Sequence, residues 1–157
     1  MLSQAVGYAA LSLGFLAGRP DGTALVREIA AACEIPAPYL SKIVNQLSRA
    51  GLVKTQRGVG GGARLSREAP LISLYDLCEV LNDPAIQSRC MLGVADCSDQ
   101  RGCPAHEFNS ARRERLIEYL KSMSIADIAE FQRTRQDSPL TILSKGQVTV
   151  DGECGSN

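Results

Sequence analysis

Residues 27–67 read REIAAACEIPAPYLSKIVNQLSRAGLVKTQRGVGGGARLSR, and the fold is decided here. Pro38 stands where a helix can open, because its missing N–H is one that no helix satisfies internally. Gly51 can end that helix as a left-handed cap, which predicts a helix over residues 38–50. Leu40, Ile43, Val44 and Leu47 recur at i, i+3, i+4 and i+7 and define one buried face. At about 100° per residue, Pro38, Lys42, Asn45 and Arg49 fall on the opposite side, flanked by Ser41 and Gln46. Upstream, Val26, Ile29 and Ala30 have core spacing in a helix over 25–33, with Thr23 as its expected cap, and Glu34-Ile35-Pro36 is a short turn. Downstream, 52–56 and 63–66 read as strands around a tip that is nearly all glycine. Helix, turn, helix and hairpin in that order predict a winged helix-turn-helix.

The outward face of the third helix holds Lys, Asn, Arg, Ser and Gln and no carboxylate, a composition that suits the DNA major groove. Asn and Gln can read adenine edges, whereas Arg and Lys reach guanine edges or phosphates. The candidate DNA contacts are Pro38, Tyr39, Ser41, Lys42, Asn45, Gln46 and Arg49 on the helix, with Arg57, Gly60, Gly61 and Arg64 on the hairpin. The glycines do not form a nucleotide cradle, since no Lys-Ser/Thr pair follows and strands flank them. They instead let the backbone approach a phosphate or carry an Arg into the minor groove. A solvated basic face and a plain tight hairpin are the alternatives.

Charge supports a local polyanion site. Net charge is zero, but residues 1–70 carry 8 Lys/Arg against 4 Asp/Glu, and residues 36–67 hold six basic residues and no acid. With no Trp, 4 Tyr and 3 Phe, there are too few stacking platforms for single strands, so duplex DNA is the expected target.

The remaining chain frames this domain. Residues 2–16 form an apolar helix that lacks a basic n-region and carries Ser3, Gln4 and Ser12, so it is neither a signal peptide nor a membrane span. A cytoplasmic location is expected, with no membrane and no small-molecule substrate as partner. Ser73 is a plausible cap for a helix over 74–81, and Pro104 starts a long helix to about residue 123. Phe108, Ala111, Leu116, Tyr119, Leu120 and Met123 give that helix a broad apolar sector, interrupted by Arg112, which would bury most easily against a second copy of the chain. The alternative is packing on its own domain. Ser124 to Asp127 resembles a capping box for a last helix over 125–132. The expected division is 1–70 for the DNA-binding domain, 71–132 for a helix, a ligand loop (89–106) and a dimerisation helix, and 133–157 for a flexible tail. The fold class is mainly α with a small β-hairpin wing.

Within 71–132, RCMLGVADCSDQRGCPAH places Cys90, Cys97, Cys103 and His106 in one short, helix-breaking stretch. Three thiolates and an imidazole can form a first coordination shell for zinc, copper(I) or an iron–sulfur cluster. A disulfide with a spare thiol is a further reading, as is a thiol switch without metal. So is a nucleophilic Cys103 activated by His106, although no third orienting group is apparent. Cys33 and Cys78 sit on apolar helix faces and read as buried thiols. Cys154 lies in a Gly/Ser/Asp tail and reads as incidental.

LSQAVGYAAL at the start, the stretch 27–67, ISLYDLCEVLN, the three cysteines and SIADI together resemble the IscR/NsrR-type winged-helix regulators, over residues 1–132. The resemblance implies a homodimeric DNA-binding regulator, read as a repressor, that senses iron–sulfur status, oxygen/redox or nitric oxide through an iron–sulfur cluster. It implies Cys90, Cys97 and Cys103 as cysteine ligands. His106 matches the Cys-x2-His position of the 2Fe–2S members. A 4Fe–4S cluster, held in some NsrR-type members with an Asp of the first helix, is the other possibility; Gly7 stands at that position here. The chain departs from the pattern in having six residues between Cys90 and Cys97 rather than five, and in carrying Ser41 where the IscR type has an acid.

Overall fold

Helix α1 (Gln4–Ala17) is capped by the Ser3 hydroxyl, which accepts from the Val6 amide at 3.4 Å. The computed structural model describes residues 1–56, 62–92, 96, 98, 100 and 102–136. Val6, Ala9, Ala10, Leu13 and Leu16 carry α1 through the centre of the core. Strand β1 (Thr23–Ala24) leads into α2 (Val26–Ala32). The expected Thr23 cap is not formed. Thr23 pairs with Arg64 in a sheet, and the Glu28 carboxylate accepts from the Leu25 amide at 3.0 Å at the start of α2.

Helix α3 (Ala37–Arg49) buries Leu40, Ile43, Val44 and Leu47 as the periodicity requires. Gly51, at φ 74°, closes it in a Schellman motif, with the Leu52 amide donating to the Leu47 carbonyl at 2.9 Å. The same motif ends α2 at Glu34 (φ 54°) and α4 (Leu74–Val80) at Asn82 (φ 51°), although neither residue is glycine. The Ile35 amide donates to Ala30 and the Asp83 amide to Cys78, so both ends have their carbonyls satisfied. Strands β2 (Val53–Gln56) and β3 (Gly62–Leu65) pair antiparallel and β1 joins the free side of β3, giving a three-stranded sheet ordered β1-β3-β2.

Ser73 and Asp76 form a reciprocal capping box on α4, and Ser124 and Asp127 do the same for α6 (Ile125–Gln136). The two caps lie side by side: the Ile125 amide donates to Ile72 and the Leu74 amide to Met123, each at 2.8 Å. Helix α6 therefore starts beside α4 and runs back across α1. Gly14 makes this crossing possible, since a Cβ there would meet the Ile128 methyl at 2.9 Å. The Gln132 side chain completes the contact by donating to the Leu11 carbonyl at 3.1 Å. This helix continues four residues past the expected end, so 133–136 are helical; the tail from 137 on, with Cys154, lies outside the described residues.

Helix α5 (His106–Ser122) has 17 residues. Its expected dimerisation set divides in two. Leu120 is 1% exposed and belongs to the chain's own core, while Leu116 and Met123 pack partly buried against that core. This corrects their assignment to an outer face: the sector was too broad for one partner because half of it serves the domain itself. Phe108, Ala111 and Tyr119 stay exposed, at 64% for Phe108 and 55% for Tyr119.

Candidate nucleic-acid interface and cysteine loop

The surface of α3 opposite its buried face carries Pro38, Tyr39, Ser41, Lys42, Asn45, Gln46 and Arg49, all exposed. No side chain caps the α3 N-terminus and its first turn contains no acid, so no carboxylate there offsets the positive end of the helix dipole. Two of the seven residues have local partners. The Ser41 hydroxyl donates to the Ala37 carbonyl at 2.8 Å, and the Tyr39 ring meets Tyr8 of α1 edge-on at 5.7 Å. The Gln4 amide in turn donates to the Tyr8 hydroxyl at 2.9 Å, so the start of α3 is braced from α1.

On the sheet, Arg64 is exposed, whereas Arg57, Gly60 and Gly61 lie outside the described residues. Register places Thr23, Arg64 and Lys54 in one row across the three strands, and therefore on one face. With Thr55, Gln56 and Gly62 they line a polar groove. Neither Lys54 nor Thr23 was among the DNA contacts expected from sequence. Strand alternation gave a signal for Lys54, whereas nothing before the hairpin marked two residues at 23–24 as a strand. Among the described residues, none of Lys42, Arg49, Lys54 and Arg64 pairs with a carboxylate.

The cysteine loop begins below α4. Asp83 is 1% exposed, and its carboxylate accepts from the Ser3 amide and the Ala85 amide, each at 2.8 Å. Burial pushes this carboxyl up, but the hydrogen bonds from Ser3 and Ala85 outweigh it and leave the group below the usual carboxylate value. Arg89 pairs with Asp96 in an isolated antiparallel bridge. At the far end, the His106 amide donates to the Cys103 carbonyl at 2.9 Å, so these two residues share the turn that starts α5.

Cys90, Cys103 and His106 are all half-buried, and Cys97 lies outside the described residues. Two soft thiols and an imidazole are suitable donors for zinc or iron–sulfur iron. Among the described residues, which leave out Cys97, no three His, Cys, Asp or Glu side chains are grouped as metal ligands. Of the other two described cysteines, Cys78 is buried as expected, whereas Cys33 is only half-buried. Burial raises Cys33, and burial followed by the Asp83 charge pushes Cys78 up to about 11.

Residues 2–130 match the family described as Rrf2, iron-dependent transcriptional regulator. Protein aau3 of Rhizobium meliloti (strain 1021) is 34% identical over 133 residues, covering 82% of this chain and 84% of that protein. Among solved structures, CymR (YrzC), the global cysteine regulator of B. subtilis, superposes with a TM-score of 0.67 at 24% identity, covering 83% of this chain and 97% of that one. The IscR of T. potens superposes with a TM-score of 0.68 at 23% identity, covering 87% and 90%. Both share the winged-helix fold of six helices and a small antiparallel sheet. Among the described residues, no helix is long and apolar enough to cross a membrane.

Proposed function

This chain belongs to the Rrf2 family of DNA-binding transcriptional regulators, and we propose that it acts as a homodimer whose loop 89–106 is the sensing input. The observation that carries this reading is the basic, carboxylate-free surface formed by α3 and the Thr23–Arg64–Lys54 row. On it, Asn45 and Gln46 face base edges, Lys42 and Arg49 reach bases or phosphates, and Lys54, Arg64 and Arg57 hold the backbone. Gly60 and Gly61 let the hairpin tip approach the duplex. Residues 1–70 are the DNA-binding unit and residues 71–132 the sensing and pairing unit. The exposed Phe108, Ala111 and Tyr119 surface of α5 is the seam between two copies, and the resulting two-fold axis matches two half-sites.

In the loop, Cys90, Cys97, Cys103 and His106 would hold an iron–sulfur cluster, the mixed Cys/His set favouring 2Fe–2S over 4Fe–4S. The bound group would supply reactivity toward oxygen, nitric oxide or a change in iron supply. The chain's own part is mechanical. Cys103 lies in the turn that leads into α5, His106 is the first residue of that helix and Cys90 is at the other end of the loop, so drawing them together sets the angle of α5 against α4. That angle fixes the spacing of the two recognition helices in the dimer.

A second reading is a thiol switch on the same cysteines, supported by the likeness of the fold to CymR, a cysteine regulator. Iron and sulfide content and the visible spectrum of anaerobically purified protein separate the two. Operator affinity with and without iron then tests the coupling. Equal affinity in both states would sink the cluster-sensor reading, and a colourless, iron-free protein with redox-dependent DNA binding would establish the thiol switch.

A further inference from the structure

Asn109 lies on α5 three residues beyond His106 and is only 4% exposed. Its side-chain amide donates to the Arg89 carbonyl at 3.0 Å, across 20 residues of chain. That carbonyl belongs to the peptide unit whose nitrogen is the Cys90 amide, so Asn109 grips the plane immediately before Cys90. Its oxygen accepts from the Arg112 guanidinium at 3.1 Å, which turns the NH2 group toward the loop. A second strut runs parallel, from the Arg113 guanidinium to the Ser88 hydroxyl at 3.2 Å. The same helix turn carries the other end of the loop, because the Asn109 backbone amide donates to Ala105 and the His106 amide to Cys103.

We infer that Asn109 is the positioning residue of the cysteine loop, holding Cys90 against the helix turn that presents Cys103 and His106. This rests on the proposed role of these residues as the sensing input. A long, glycine-containing loop has many conformations, and one buried hydrogen bond at its root removes most of those that carry Cys90 away from α5. Arg112, an interruption of the apolar stripe by sequence, has the task of orienting that bond. The carboxylate of Asn109→Asp keeps the shape and the Arg112 partner but sets an acceptor against an acceptor at Arg89. Asn109→Leu keeps the volume and offers no polar group.

The test uses the full chain in two states. In the metal-free protein, the rate of iodoacetamide alkylation at Cys90 is read by peptide mass spectrometry, with half-buried Cys33 as the internal reference. Losing a buried amide–carbonyl bond corresponds to about a tenfold change. Both variants are therefore expected to alkylate Cys90 about tenfold faster while Cys33 is unchanged. After iron–sulfur reconstitution, chelator-driven bleaching of the visible absorption is expected to quicken by a similar factor. Wild-type rates at Cys90 in both variants, with helical circular dichroism retained, would overturn the assignment. If the wild-type chain takes up no iron, the cluster reading fails by itself, and the alkylation rates alone decide the role of Asn109.

Discussion

The Asp83 carboxylate accepts a hydrogen bond from the Ser3 amide at 2.8 Å, joining residues 80 positions apart. Ser3 caps α1, and Asp83 is the first residue after the left-handed end of α4, so the bond fastens the root of the cysteine loop to the helix that braces α3. Asp83→Asn removes one acceptor and sets an amide donor against backbone donors. It should cost about 1–3 kcal/mol in urea unfolding at neutral pH. The folded carboxyl lies below its ordinary value, so its contribution is complete above about pH 4 and disappears as pH falls through the folded pKa. The gap between wild type and variant should therefore close in acid; a gap that persisted at pH 2 would mean that the charge is not what holds Ser3.

Cys78 should be the slowest described thiol. Pushed from 9.0 up to about 11, it carries little thiolate at pH 8, and it is fully buried. Its raised pKa makes the contribution of the protonated thiol to stability complete below about pH 8 and lost only as pH climbs through 11. Alkylation at pH 8 followed by peptide mapping should label Cys103 well before Cys78. The reverse order would show that the α4 core opens readily.

On DNA, Lys42→Ala, Lys54→Ala and Arg64→Ala should each weaken binding across operator variants alike and flatten the salt dependence. The expected change is about one unit of log–log slope for each phosphate no longer neutralised, twice that if both subunits contribute. Asn45→Ala should behave differently, losing about 1–3 kcal/mol at one base position and little elsewhere. A salt titration by fluorescence anisotropy distinguishes the two patterns. Unchanged slopes for Lys54 and Arg64 would remove the sheet row from the interface.

Pairing should depend on the exposed half of α5 only. Phe108→Asp with Tyr119→Asp is expected to yield folded monomers in sedimentation velocity, because both side chains already face solvent. Leu120→Ala should instead cost about 2–5 kcal/mol of folding stability, since the side chain fills the chain's own core. Dimers surviving the double substitution would place the seam elsewhere.

Much of the fold was legible in residues 27–67, where helical spacing and Gly51 marked α3 and its end. The other two helix ends were harder to read. Glu34 and Asn82 take the left-handed conformation that glycine adopts freely, and buried Ile35 and Asp83 next to them supply the compensation, which is tertiary. The two-residue β1 exists only because β3 offers it an edge, so Thr23 looked like a helix cap. Along α5, the apolar residues were visible but not their division, because a period of 3.6 cannot tell a core from a partner when both border one helix. The hydrogen bond from Asn109 to the loop joins chain segments 20 residues apart and leaves no local pattern at all.

The row Thr23–Arg64–Lys54 sets two positive charges in direct cross-strand register on an exposed face. Like charges so placed repel, and the row holds no carboxylate to relieve them. Ionic strength consequently pushes the free protein and its complex in opposite directions. Added salt screens the repulsion and firms up the unbound sheet, yet it strips the same two cations of their advantage on a polyanion. The two cations that would favour a polyanion are thus a local cost to the isolated sheet.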